Sequence, residues 1–271
     1  MQIHASTSVY CVIGHPIGHS LSPLMHNAAF ESYGENRAYV AFEVKDLAAA
    51  VSGFRALNIG GVSVTIPHKV AIMDHLDEID DLARRIGAVN TVVNQDGHLI
   101  GLNTDCHGAV QALETKTRLS GKSTILIGAG GAARAIGFGL KAAGADMVIA
   151  NRTPAKGRQL AANLGVESVP LDRLSEMAGE IVINTTPVGM APRTEALPVP
   201  GGFLKRGMTV MDIIYNPLQT RLLKEAAQAG CRIIDGVAMF VHQGARQFEL
   251  WTGKKAPLDI MRQAVMEALD P

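Results

Sequence analysis

The chain has 271 residues, of which 47% are hydrophobic and 18% charged, a balance that suits an ordered protein of one large domain or two small ones. Lys plus Arg and Asp plus Glu both number 25, and no basic stripe stands out, so nucleic acid is not an expected partner. Cys11, Cys106 and Cys231 are far apart, no HExxH-type pair occurs, and there is no leader-like N-terminus and no apolar run of bilayer length; the expectation is no disulfide framework, no metal, no membrane and a reducing cytoplasm.

Strand and helix patterns alternate almost throughout, which predicts an α/β fold. An apolar strand at 9–14 leads into the turn His15-Pro16-Ile17-Gly18-His19-Ser20-Leu21-Ser22-Pro23 and a helix over 21–33. Ser20 and Ser22 stand two apart in a tight loop, so both hydroxyls can reach one carboxylate; ordinary helix capping is the competing reading. A strand at 37–44, a helix over 45–57 and a β-branched strand at 61–66 follow. The segment Ser63-Val64-Thr65-Ile66-Pro67-His68-Lys69 puts polar groups at a strand end, where open α/β sheets take ligands. Lys69 is there a candidate proton or hydrogen-bond donor, against the default of a solvated lysine. Helical stretches are expected at 71–76 and 80–86, then a hairpin of 90–94 and 98–102 around Asp96-Gly97. Asn90 is either a turn residue or a ligand donor, and Asp105 either pairs with Lys69 or caps the next helix.

The second half opens after Leu119-Ser120-Gly121 with a strand at 123–127 and a helix over 130–143. Between them lies Gly128-Ala129-Gly130-Gly131-Ala132-Ala133, a GxGxxG/A turn in the strand-to-helix setting that a dinucleotide pyrophosphate requires. Gly128 suits the tight turn, Gly130 the close approach of backbone to phosphate, and Ala133 the packing of helix on sheet. The strand at 147–150 ends in Asn151-Arg152-Thr153, without the acidic residue that holds an NAD ribose; Arg152 and Thr153, with Lys156 nearby, instead suit a 2′-phosphate and hence NADP(H). A helix over 154–164, strands at 180–184, 209–214 and 232–234, and helices over 237–251 and 258–269 complete the chain. The last helices have no strand partners and are expected to return to the first domain. This gives a substrate-binding catalytic domain of 1–105 plus 237–271 and a Rossmann-like NADP-binding domain of 106–236. On the penultimate helix Gln243 and Gln247 share a face, with Gln247 expected to be a solvated polar position.

Taken together, HSLSP, SVTIPHK, GAVNT, NTDCHG, GAGGAA, ANRT, NTTPVGM, DIIYNPLQT and MFVHQGA resemble the shikimate dehydrogenase family in order and spacing, over nearly the whole chain. One position departs: the family commonly has Asn where this chain has Ser63. The resemblance implies NADPH-dependent reduction of 3-dehydroshikimate to shikimate, in the route to aromatic amino acids. It implies that Lys69 and Asp105 are the catalytic pair, and that Ser20 and Ser22 bind the substrate carboxylate. Thr65, Asn90 and Gln243 would bind ring hydroxyls, with Tyr215 close by. Gly128, Ala129, Gly130, Gly131, Ala132, Asn151, Arg152, Thr153 and Lys156 would hold NADP(H). No metal is called for, the partner is a small molecule, and the assembly is open between a monomer and a homodimer. Quinate is the nearest rival substrate; a non-catalytic NADP-binding module is the rival from another class.

Overall fold

The structure is a computed structural model in which residues 2–269 are described. The chain divides into two compact units: one runs through Thr104 and resumes at Gln243, and the other is Asp105–His242.

The first unit is built on a six-stranded mixed sheet. Strands β1 (Ser8–Gly14), β2 (Arg37–Glu43) and β3 (Gly61–Val64) run parallel, with β1 in the middle. Beyond β3 come a two-residue strand β4 (Glu78–Ile79) and the hairpin of β5 (Thr91–Gln95) and β6 (His98–Leu102), so that the order is β2-β1-β3-β5-β6-β4. Central β1 and β3 read as near-continuous apolar runs because both their faces are covered. The covering helices are α1 (Ser22–Ser32), α2 (Leu47–Ala56) and α3 (Asp81–Ile86). Asp46 caps α2 by accepting from the Ala49 amide at 3.0 Å, and Asp80 caps α3 by accepting from Leu82 and Ala83. The predicted helical stretch at 71–76 is a 3-10 turn, Ala71–His75, squeezed between the end of β3 and β4.

In the second unit, α4 (Asp105–Glu114) precedes β7 (Ser123–Ile127), α5 (Gly131–Ala142), β8 (Asp146–Asn151), α6 (Pro154–Leu164), β9 (Glu167–Pro170), β10 (Ile181–Asn184), β11 (Thr209–Asp212), α7 (Arg221–Gln228) and β12 (Arg232–Ile234). All six strands are parallel, in the order β12-β11-β10-β7-β8-β9. That is the strand order of the doubly wound dinucleotide-binding sheet. The winding reverses between β7 and β10, so their carboxyl ends flank the crevice where such sheets take ligands.

Helix α8 (Gly236–Thr252) starts in the second unit and from Gln243 belongs to the first, while α9 (Leu258–Leu269) packs on α1. The sequence places the divisions after 105 and 236; the compact units divide after Thr104 and His242, the second division lying inside α8. Close approach seats α8 on the first sheet. The Met25 side chain fills the space a Cβ at Gly244 would need, and the Trp251 indole lies against Gly61 and donates to the Val92 carbonyl at 3.1 Å. Among the described residues, no helix is long and apolar enough to cross a membrane.

Candidate active site

The first unit collects its polar strand-end residues at one end of its sheet. β3 is parallel to β1, and β5 is antiparallel to β3 with Ser63 opposite Thr91, so β5 begins where β1 and β3 end. β6 returns with Thr91 opposite Leu102, which brings Asn103 and Thr104 to the same end. Backbone bonds lock the cluster: Thr65 donates to Ile13 at 3.0 Å, Val64 to Asn90 at 2.8 Å, and Val89 to Lys69 at 2.8 Å. The loop after β1, with Ser20 and Ser22, leaves from this end as well. Ser22 and Asn90 are buried, while Ser20, Thr65 and Lys69 are half-buried.

Neither serine is spent on capping. The N-cap of α1 is Leu21, without a side-chain bond, and Ser20 Oγ only accepts locally from the Ser22 amide at 3.3 Å. Asn90 is held firmly: its Oδ1 accepts from the Thr104 amide and from Thr91 Oγ1, both at 2.7 Å, and its Nδ2 donates to Thr104 Oγ1 at 3.1 Å. Gln243 stands on α8 at the first residue belonging to this unit and is half-buried. His68, beside Lys69 in sequence, is buried with Nε2 2.9 Å from the Val44 carbonyl oxygen, a packing role.

The second unit places the glycine-rich turn at the reversal point. Gly128 has φ of +119°, and a Cβ there would strike the Thr185 hydroxyl at the end of β10; only glycine fits. Thr185 itself donates to the Ile127 carbonyl at 2.6 Å, tying the ends of β7 and β10 together. At Gly130 and Gly131 nothing in the protein lies within 4 Å of an added Cβ, so protein packing does not require glycine there. Helix α5 starts at this opening with Gly130 as N-cap and no side-chain cap, leaving its first N–H groups for a ligand. Ala129 and Ala132 flank the turn, half-buried, and Ala133 is fully buried beneath it.

Asn151 ends β8 and donates to the Thr153 carbonyl at 2.8 Å, shaping the turn into α6. Arg152, Thr153 and Lys156 are exposed, and Thr153 is the N-cap of α6 but makes no side-chain capping bond. A pyrophosphate at the open glycines and a 2′-phosphate at this cationic helix start both fit the residues present. Asp105, the first residue of α4, is buried; Tyr215, after β11, has its ring tilted against that of Phe240 at 5.3 Å between centroids, and burial raises its hydroxyl pKa.

Family comparisons bear on the whole chain. Residues 12–92 match the profile described as shikimate dehydrogenase substrate binding domain, 110–188 that of shikimate / quinate 5-dehydrogenase, and 236–266 that of the shikimate 5′-dehydrogenase C-terminal domain. The shikimate dehydrogenase (NADP(+)) of Moorella thermoacetica is 46% identical over 99% of this chain and 96% of its own. The chain belongs to the shikimate dehydrogenase family. A shikimate dehydrogenase solved in complex with NADP+ superposes with a TM-score of 0.95 at 44% identity, covering 99% of this chain and 98% of that one. The Thermus thermophilus enzyme, solved with NADP(H) and shikimate, gives 0.91 at 38% identity over 97% of this chain and 100% of that one.

Within this shikimate dehydrogenase family member, the position where the family commonly has Asn is part of a buried network that the sequence did not reveal. Tyr39 donates to Ser63 Oγ at 2.6 Å, and Ser63 donates to Gln247 Oε1 at 2.9 Å. Gln247 Nε2 donates to Thr91 Oγ1 at 3.0 Å and to the Asn90 carbonyl at 3.2 Å. Gln247 is therefore not the solvated position expected from the sequence; it is 2% exposed, because α8 docks with this face against β3 and β5. The helical spacing from Gln243 put it on the right face, but spacing alone does not tell a buried amide from a wet one.

His26 closes the network. It is fully buried, stacks on Tyr39 at 4.4 Å, and its Nε2 is 3.3 Å from Gln247 Oε1. Burial pushes its pKa down to about 3, against the smaller opposing effect of the Gln247 bond. The unfolded imidazole, at 6.5, binds a proton that the folded one refuses, so stability falls as pH drops from 6.5 toward 3. The slope reaches about 1.4 kcal/mol per pH unit at most. Trp251, the single tryptophan, lies 5.2 Å from His26 and reports on this unit. Urea unfolding followed by its fluorescence should lose about 2 kcal/mol between roughly pH 7 and pH 5. In His26→Leu that loss should vanish; an unchanged slope would show that other groups set it.

Proposed function

We propose that this chain is a cytoplasmic NADP-dependent shikimate dehydrogenase, reversibly reducing the ketone of 3-dehydroshikimate to the hydroxyl of shikimate in the route to chorismate and the aromatic amino acids. The observation that carries the reading is the strand-end cluster of the first unit: a half-buried lysine, two serine hydroxyls not used as helix caps and an ordered asparagine amide, gathered at one end of one sheet. It lies in a chain whose other unit has an open dinucleotide turn at its reversal point.

Each residue then has a chemical task. Ser20 and Ser22 donate to the substrate carboxylate, and Thr65, Asn90 and Gln243 bond the ring hydroxyls, with Tyr215 beside the substrate. NADPH, when bound, supplies the hydride that reduces the ketone carbon. Lys69 stabilises the negative charge growing on the carbonyl oxygen and gives that oxygen its proton. Asp105 accepts a hydrogen bond from a substrate hydroxyl. The turn from Gly128 to Ala132 holds the pyrophosphate, and Asn151, Arg152, Thr153 and Lys156 hold the 2′-phosphate.

Initial rates with shikimate and quinate, each with NADP+ and NAD+, test this reading. Turnover confined to shikimate with NADP+ is expected. Comparable quinate or NAD+ rates would move the protein to a broader quinate/shikimate activity, and binding of NADP+ without any turnover would leave a non-catalytic module. Arg152→Ala should raise KM for NADP+ by roughly tenfold or more while leaving the weak use of NAD+ unchanged, since a charge-assisted bond to the 2′-phosphate is lost. An equal loss with both cofactors would place Arg152 elsewhere. Light scattering would decide whether the enzyme works as a homodimer.

A further inference from the structure

We propose that Asn184 is a positioning residue for the nicotinamide half of the cofactor: its buried side-chain amide sets the course of the loop after β10, which walls the crevice on the side away from Arg152. This rests on the reading of the second unit as the one that binds NADP(H).

Strand order decides where each half of the dinucleotide goes. The glycine turn between β7 and α5 takes the pyrophosphate, and the residues that suit the 2′-phosphate follow β8, on one side of β7. The other half crosses the reversal point, toward the loops that leave β10 and β11. The first of these loops starts against the glycine turn: a Cβ at Gly128 would come within 3.1 Å of Thr186 Cγ2. It is held by two different residues. Thr185 is tied to β7, its amide and its hydroxyl both donating to the Ile127 carbonyl, at 2.9 Å and 2.6 Å. From Thr186 onward the holder is Asn184.

Asn184 Oδ1 accepts from the Thr186 amide at 3.0 Å and from the Thr186 hydroxyl at 2.7 Å. Its Nδ2 donates to the Val188 carbonyl at 3.2 Å and to Asp212 Oδ1 at 3.1 Å. Thr186 Oγ1 in turn accepts from the Val188 amide at 3.2 Å. A side-chain amide has two protons to give and room for two incoming ones, and here all four places are taken. Backbone partners fix which way it faces, because the Thr186 N–H can only donate and the Val188 carbonyl can only accept. Asn184 is fully buried, so no water is at hand to replace a lost bond. Beyond Val188 the loop is joined to the one after β11, where the Ala191 amide donates to the Asn216 carbonyl at 3.3 Å. Without the Asn184 amide, Thr186 and Val188 keep only the bond between them, and the dinucleotide must order the loop as it binds, which costs affinity. Thr185 keeps both its bonds to Ile127, so the glycine turn and the adenosine side hold their shape.

The expected result is a split between the two halves of the cofactor, which a general loosening of the unit would not give. In calorimetric titrations of the full chain, Asn184→Ala should bind NADP+ about tenfold more weakly than the parent. Its Kd for adenosine 2′,5′-bisphosphate, which lacks the nicotinamide half, should be unchanged. KM for NAD+ should rise by the same factor as KM for NADP+, unlike the one-sided loss expected of Arg152→Ala. In the unliganded protein the Thr186 and Val188 amides should exchange hydrogen faster, while those of β7 and β8 keep the parent rates. Thr186→Val removes one hydroxyl from the same turn at a half-buried position and should show the split to a smaller degree. It decides the matter alone if the alanine variant does not fold. Parent-like NADP+ affinity in a folded Asn184→Ala, or in Thr186→Val where the alanine variant does not fold, would overturn the proposal. So would a weakening that adenosine 2′,5′-bisphosphate shares equally. A parent protein that binds neither NADP+ nor the bisphosphate would instead overturn the reading of this unit on which the proposal stands.

Discussion

Lys69→Ala is expected to lower kcat for shikimate oxidation by about a thousandfold while NADP+ binding, measured by calorimetry, stays near the parent value. The lysine follows β3 on a segment fixed by the bond from the Val89 amide to its own carbonyl oxygen, so the backbone survives loss of the side chain. The residue is half-buried. Both of the tasks proposed for it, charge stabilisation and proton transfer, would be felt more strongly in the transition state than in the bound substrate, which is why kcat should carry most of the loss. Lys69→Arg keeps the charge and loses a readily transferred proton, because guanidinium does not deprotonate in this range. It should therefore recover little of the rate if proton transfer dominates, and much of it if the charge does. A Lys69→Ala variant whose turnover and NADP+ affinity decline together would remove Lys69 from the chemistry.

Most of the fold was legible because its signals are local and strong. The strands at 123–127 and 232–234 and the helices over 154–164 and 258–269 have the bounds read from the sequence, since each is framed by Gly, Pro or polar residues and has a clear period. The elements that escaped are those set by tertiary context. β4 has two residues and exists because β6 offers it an edge; β9 is a four-residue edge strand ending at Pro170; α7 follows a loop whose cap, Thr220, is recognisable only once its hydroxyl is seen between Asp212 and the Leu223 amide. The site divides in the same way. Motif residues such as Gly128, Arg152 and Lys69 lie at strand ends where chain order alone suggests a ligand. The supporting residues, Gln247, Tyr39, Ser63 and His26, come from four distant elements, and no local pattern joins them.

Asp212 is another such residue, and its replacement should have the second large effect. It is fully buried at the end of β11, opposite Asn184 at the end of β10. Its Oδ1 accepts from Asn184 Nδ2 at 3.1 Å and from the Ile214 amide at 3.2 Å, and its Oδ2 from Thr220 Oγ1 at 2.8 Å. Asn184 Oδ1 in turn accepts from the Thr186 amide and hydroxyl, at 3.0 Å and 2.7 Å. One carboxylate thus organises the two loops that leave β10 and β11, including the one that carries Tyr215. Asp212→Ala would strand three buried donors and should cost about 3 kcal/mol or more, read from hydrogen exchange of the β10 and β11 amides. Asp212→Asn is a different case. Desolvation raises the carboxyl from 3.8 to about 6, outweighing its three hydrogen bonds, so the folded state binds a proton more tightly than the unfolded chain. Its contribution to stability is accordingly largest below 3.8 and declines as pH rises through about 6, opposite in sign to that of His26. Asparagine keeps an acceptor for Asn184 and Ile214, lets the Thr220 hydroxyl accept instead of donate, and removes the buried charge. Asp212→Asn should therefore remain within about 1 kcal/mol of the parent at neutral pH and lose the decline between 3.8 and about 6 in this unit. If asparagine proved as damaging as alanine, the negative charge itself, and not the acceptor geometry, would be what holds these loops.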